Sequence, residues 1–167
     1  MKRKIVLTTL VIVFAMTLAA TVASAPPKTL RTTAQPEDAA ACSLVGAAGT
    51  YGFNTSGTVI GVGPRVSAGI ITLDAAGNVT GKATSSLNGV VAGETFAGTY
   101  MLNSECIGTF SIGVSDLAGN PLFNAKLNFV SDDNMRESRF IFTSIALPNG
   151  TALATVITGT SRKLGGQ

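Results

Sequence analysis

The chain is 167 residues long, the size of one ordinary domain, and it carries two Cys and no His or Trp. Twelve Lys and Arg against nine Asp and Glu give a formal charge of +3, but three of those bases are Lys2, Arg3 and Lys4. Without them nine bases balance nine acids, which excludes a basic face for nucleic acid or anionic lipid.

The three N-terminal bases precede an apolar run, Ile5 to Ala20, and then the small residues Ala23-Ser24-Ala25. This order predicts a secretory signal over residues 1–25, cut at one of residues 23–25, and an exported mature chain that is secreted, periplasmic or at the cell surface. Ile5 to Ala25 is also long enough to span a bilayer as an uncleaved anchor. Residues 26–41 mix Pro, Thr, Ala and charge without periodicity and read as a disordered linker. The folded unit is expected over 42–162, with a short tail at 163–167. Cys42 and Cys106 form an even pair in an exported chain, so one disulfide is expected between them.

From Cys42 onward strand signals dominate. Runs of Val, Ile, Thr and Phe predict eight strands, near 50–57, 67–73, 79–87, 90–102, 106–114, 121–130, 135–144 and 151–160. Turn residues separate them. Asp74-Ala75-Ala76-Gly77-Asn78 and Asp116-Leu117-Ala118-Gly119-Asn120 share the pattern DxAGN, and Asn88-Gly89 is a two-residue hairpin signal. Ser131 to Asn134 and Pro148-Asn149-Gly150 mark two more turns, and no stretch after the signal has a helical period.

Alternation along these strands separates a dry face from a wet one. Phe123, Ala125, Leu127 and Phe129 oppose Asn124, Lys126 and Asn128, while Val79, Gly81, Ala83, Ser85 and Leu87 oppose Thr80, Lys82, Thr84 and Ser86. This is the pattern of an antiparallel sheet wet on one side. The fold class is therefore all-β: an antiparallel eight-stranded meander closed into a barrel, with a two-sheet sandwich as the other arrangement that fits. A barrel of this size is filled by side chains or holds one small ligand.

The layout GTYGFNTSG, AGIITLDAAGNVTG and GTYMLNSECIGTF resembles a group of small exported bacterial proteins, over residues 42–114. More distantly the meander is similar to the eight-stranded calycin (lipocalin-like) and allene oxide cyclase/dirigent-like barrels. Gly49-Thr50-Tyr51 stands where the lipocalin signature has G-x-W, and no residue set matches a cyclase or dirigent site, so no catalytic residue is carried over.

Chemistry is sparse. Without His there is no Ser-His-Asp triad, no Cys-His pair and no ordinary zinc site, and no cofactor or metal is implied. Asp74 and Asp116 are expected to cap turns rather than bind Ca²⁺, because neither loop has a full ligand set. Counting by twos puts Glu94 on the face of Phe96 and Tyr100, and Arg136 on that of Ser138, Phe140 and Phe142. If that face is interior, Glu94 and Arg136 lie near the barrel mouths; the simpler reading leaves both at strand ends in water.

The candidate ligand-contacting set is Tyr51, Gly81, Ala83, Glu94, Phe96, Tyr100, Phe110 and Arg136. It suits a small apolar molecule held without catalysis. A surface or adhesive module with a packed core is the alternative, and an isomerase- or cyclase-type enzyme using Glu94, Tyr100 and Arg136 is the third. Neither nucleic acid nor, after signal removal, a membrane is expected as a partner. The repeated GTYGFN (49–54) and GTYMLN (98–103) read as strand construction: Gly bends, Tyr fills the inner wall, and Asn turns the chain out.

Overall fold

The computed structural model describes residues 42–132 and 134–165. The expected signal segment and linker, residues 1–41, lie outside the described residues. A single helical turn, α1 (Leu44–Ala47), precedes nine strands. These are β1 (Gly49–Val59), β2 (Gly63–Leu73), β3 (Asn78–Leu87), β4 (Val90–Leu102), β5 (Ile107–Asp116), β6 (Pro121–Asp132), β7 (Glu137–Ala146), β8 (Ala152–Leu153) and β9 (Thr155–Lys163).

Each strand from β1 to β7 pairs antiparallel with the next, β7 then pairs with β9, and β9 returns to β1. The eight long strands thus form a closed barrel, with β8 as a short extra strand, and the sandwich is excluded. The last expected strand, 151–160, is two pieces. β8 pairs with the end of β7, and β9 begins after a break at Ala154, whose carbonyl accepts from the Ile60 N–H at 2.8 Å. β9 also runs on to Lys163, one residue beyond the expected domain end.

Turn chemistry follows residue type. Asn88 and Gly89 both take positive φ, 50° and 85°, as the hairpin signal requires. The two DxAGN turns are the same device. In each, one Asp Oδ accepts from the N–H groups two and four residues on, and the other accepts from the Asn side-chain amide. These bonds, the Asn side chain's first, hold both carboxyls below the usual carboxylate range. Oxygens committed in this way are not a cation cage.

The inner face carries the core, including Tyr51, Val59, Leu73, Val79, Phe96, Tyr100, Phe110, Leu127, Phe129 and Ile157. Strand curvature leaves no room for a side chain at some inward positions. A Cβ on Gly98 would strike the Ser111 carbonyl and lie 2.8 Å from Ile112 Cα, and one on Gly81 would strike the Phe96 ring. A bulge where Thr143 interrupts the β6–β7 register shifts parity, so Phe140 and Phe142 point inward and then Ile145 does.

The end of the barrel where β1 begins is closed by α1. Ser43 caps this turn by accepting from the Gly46 N–H at 3.1 Å. A one-turn helix has no stability of its own, so its place is fixed from outside. The disulfide Cys42–Cys106, as expected from the sequence, ties its entry to the β4–β5 turn with Cα atoms 4.9 Å apart. Tyr51 Oη donates to the Ala47 carbonyl at 2.7 Å and approaches that of Met135 at 3.0 Å. Tyr100 Oη lies 2.6 Å from the Asp74 carbonyl and 3.1 Å from that of Leu44. Lys163 Nζ donates to the Gly46 carbonyl at 3.3 Å and sits 5.6 Å from the Tyr51 ring centre.

Burial, and secondarily the neighbouring Tyr100, pushes the Tyr51 hydroxyl up to about 12. The unfolded chain ionises this residue near 10, so between about pH 10 and 12 only the unfolded state sheds the proton, and stability falls as pH rises. Urea midpoints are expected to be flat from neutral pH to about 10 and to drop above it, with a shallower drop in Tyr51→Phe. Equal alkaline slopes in the two proteins would refute this assignment.

Candidate functional site

Inside the barrel runs an apolar cavity of about 70 Å³. Its wall includes Phe53, Phe96, Phe110, Phe123, Phe129, Phe140 and Phe142, every Phe among the described residues. The rings pack on one another: Phe53 meets Phe96 edge-on at 5.7 Å, and Phe110 lies 4.6 Å from Phe129.

One polar cluster stands in this wall, toward the end opposite α1. Arg65, near the start of β2, is 6% exposed, and Glu94, near the start of β4, is 5% exposed. Arg65 Nη2 donates to Glu94 Oε2 at 2.6 Å, and Ser85 Oγ of β3 donates to Glu94 Oε1 at 2.7 Å. The guanidinium also lies 5.0 Å from the centre of the Phe123 ring on β6. Four strands thus place one buried, charge-neutral group at the cavity wall. Four other wall hydroxyls pair among themselves: Thr55 with Ser67 at 2.6 Å, and Ser131 with Ser138 at 2.7 Å.

The candidate residues divide on these facts. Tyr51, Ala83, Glu94, Phe96 and Phe110 face the cavity together. Gly81 points inward beneath the Phe96 ring, and Tyr100 is buried among the closing contacts at the α1 end, so neither lines the cavity. Arg136 is a correction: it is exposed, ahead of β7. Asn134 and Met135 both take positive φ, which ends the alternation there, and Met135 is the residue that turns into the core.

Glu94 is buried against a partner on the inner side, where the count by twos put it, and not at a wet strand end. Glu94, Tyr100 and Arg136 do not assemble. Glu94 pairs across its ladder near the barrel's open-turn end, whereas the Tyr100 hydroxyl and the turn holding Arg136 are at the α1 end. The residue missed from the sequence is Arg65. The expected strand begins at 67, but β2 begins at Gly63, and the same alternation carried back two residues puts Arg65 on the face of Ser67, Ile71 and Leu73.

No family model matches the chain, and no curated protein matches it. Among solved structures, EF1p2_mFAP2b bound to DFHBI superposes with a TM-score of 0.53, covering 74% of this chain and 98% of that one at 11% identity. The likeness is one of fold, the eight-stranded antiparallel barrel. A redesigned β-barrel, b11L5F_LGL, matches at 13% identity with a TM-score of 0.46, covering 74% and 96%. The S-type phycobiliprotein lyase CPES from Guillardia theta matches at 8% identity with a TM-score of 0.41, covering 74% and 92%.

Proposed function

We propose that this protein is an exported, non-catalytic barrel that holds a small, mostly apolar molecule in its axial cavity. The observation that carries this reading is the Arg65–Glu94–Ser85 cluster set in a Phe-lined wall. A barrel built for stability alone gains little from a buried ion pair, since well-packed apolar residues in its place are often neutral or stabilising. A few placed polar groups among apolar walls are what fix a bound molecule's orientation. The similar barrel EF1p2_mFAP2b binds DFHBI, which supports small-molecule binding by a barrel of this architecture. The disulfide is consistent with an oxidising compartment and so with export.

A second reading, a surface module with a filled core, is favoured by one quantity. The cavity of about 70 Å³ is about half of the ~150 Å³ apolar cavity that takes up benzene, so the molecule is small or the Phe rings move to admit it. Two measurements separate the readings. Native mass spectrometry of the protein from an exporting cell is expected to show a mass excess lost on denaturation. Titration with cyclopentane is expected to shift the ring resonances of Phe96, Phe110 and Phe129. A bare mass together with unmoved rings would establish the filled module instead.

A further inference from the structure

Arg65 is bound on one side only. Its single side-chain hydrogen bond among the described residues goes to Glu94; its other N–H groups meet no acceptor among those residues and are not fully sealed from solvent. The guanidinium carbon lies 5.0 Å from the centre of the Phe123 ring, in a residue that lines the cavity and is 6% exposed. Glu94 has one oxygen committed to Arg65 and the other to Ser85. Thr55 bonds Ser67 and Ser131 bonds Ser138, while Ser161 also stands in the wall. The hydrogen-bonding capacity left at Arg65 itself is for an acceptor.

The charge of the site decides which acceptor. Arg65 and Glu94 cancel, so an anion placed beside them would leave a net negative charge among Phe rings, facing a carboxylate. A neutral carbonyl oxygen takes the spare donors without that cost. The volume keeps the rest of the molecule small, and a five-membered ring enters with a shift of the Phe rings.

We infer that the barrel's ligand is a small neutral carbonyl compound, a ketone, aldehyde or ester, whose oxygen accepts from Arg65 while its apolar body lies among the Phe rings. This rests on the binding reading above and names the ligand class for it. The test compares three probes of similar shape on the full-length wild-type chain, by NMR titration of the cavity Phe rings and the Arg65 Nε–H. They are cyclopentanone, methylenecyclopentane and cyclobutanecarboxylate.

Cyclopentanone is expected to bind at least about tenfold more tightly than methylenecyclopentane, because a hydrogen bond to a charged donor is gained. Cyclobutanecarboxylate is expected to bind more weakly than the ketone, and to gain in Glu94→Gln, where the opposing charge is gone and Arg65 remains. Equal affinity for the ketone and the hydrocarbon overturns the carbonyl assignment and leaves the binding barrel standing. Tighter binding of the carboxylate to the wild type overturns the neutral-ligand assignment. Binding of none of the three overturns both this inference and the reading on which it rests.

Discussion

Glu94→Ala is expected to destabilise the barrel by about 3–5 kcal/mol, the cost of leaving one member of a buried pair without the other. Both partners are more than nine-tenths buried, so water does not take the place of the lost carboxylate around Arg65. Ser85 loses its acceptor in the same variant. Arg65→Met has a loss of the same order, because the buried Glu94 carboxyl then has only a hydroxyl to meet it. Replacing both, as Arg65→Met with Glu94→Leu, is expected to recover most of the loss, since an apolar pair of similar volume suits a Phe-lined wall. Urea unfolding of these proteins together with the single variant Glu94→Leu closes the double-mutant cycle and gives the coupling. Losses below about 1 kcal/mol for both single variants would mean that the pair is solvated. The double variant separates stability from function: it is expected to fold well and to lose preference for ligands with an acceptor.

The second large effect lies at the other end of the barrel. Cys42→Ser is expected to cost about 4 kcal/mol, from the loop entropy returned to the unfolded chain when a cross-link spanning 64 residues is lost. Reduction of the wild type is expected to lower the urea midpoint to that of the Ser variant. A native-state effect follows as well. α1 is too short to persist alone, and with the disulfide gone it is held by the Tyr51, Tyr100 and Lys163 contacts. Amide exchange at Gly46, Ala47 and Ala48 is therefore expected to accelerate on reduction more than exchange in β3 and β4. A midpoint that does not move on reduction would sink the stabilising role. Uniform acceleration would sink the role of the disulfide in seating α1.

The repeated GTYxxN shows how far residue patterns reach. Both Gly-Thr-Tyr units build strands, and both Tyr residues point inward, as alternation implies. What the alternation does not contain is that the two hydroxyls converge on α1 from strands on different parts of the wall and so seal that end. The Asn residues part company. Asn103 accepts from the Glu105 and Ile107 N–H groups and makes the β4–β5 turn. Asn54 sits mid-strand on the outer face and accepts from the Thr160 hydroxyl at 2.7 Å, so it turns nothing.

Local chemistry within the sequence determined the strands, the turns, the inner and outer faces and the Cys pair. Strand period, positive φ at Asn-Gly, and Asp bonding to its own backbone act over a few residues and leave their mark in residue order. The tertiary structure decided which inward residues meet. Arg65 and Glu94 are 29 positions apart and on strands that flank β3, so the β2–β3–β4 register and the curvature of the sheet bring their side chains to 2.6 Å. Closure also made α1 a helix, because a four-residue turn exists only where a disulfide and two Tyr hydroxyls hold it. For the same reason Arg136 left the expected site: positive φ at two residues broke the count by twos, and a pattern read along the chain cannot pass through such a turn.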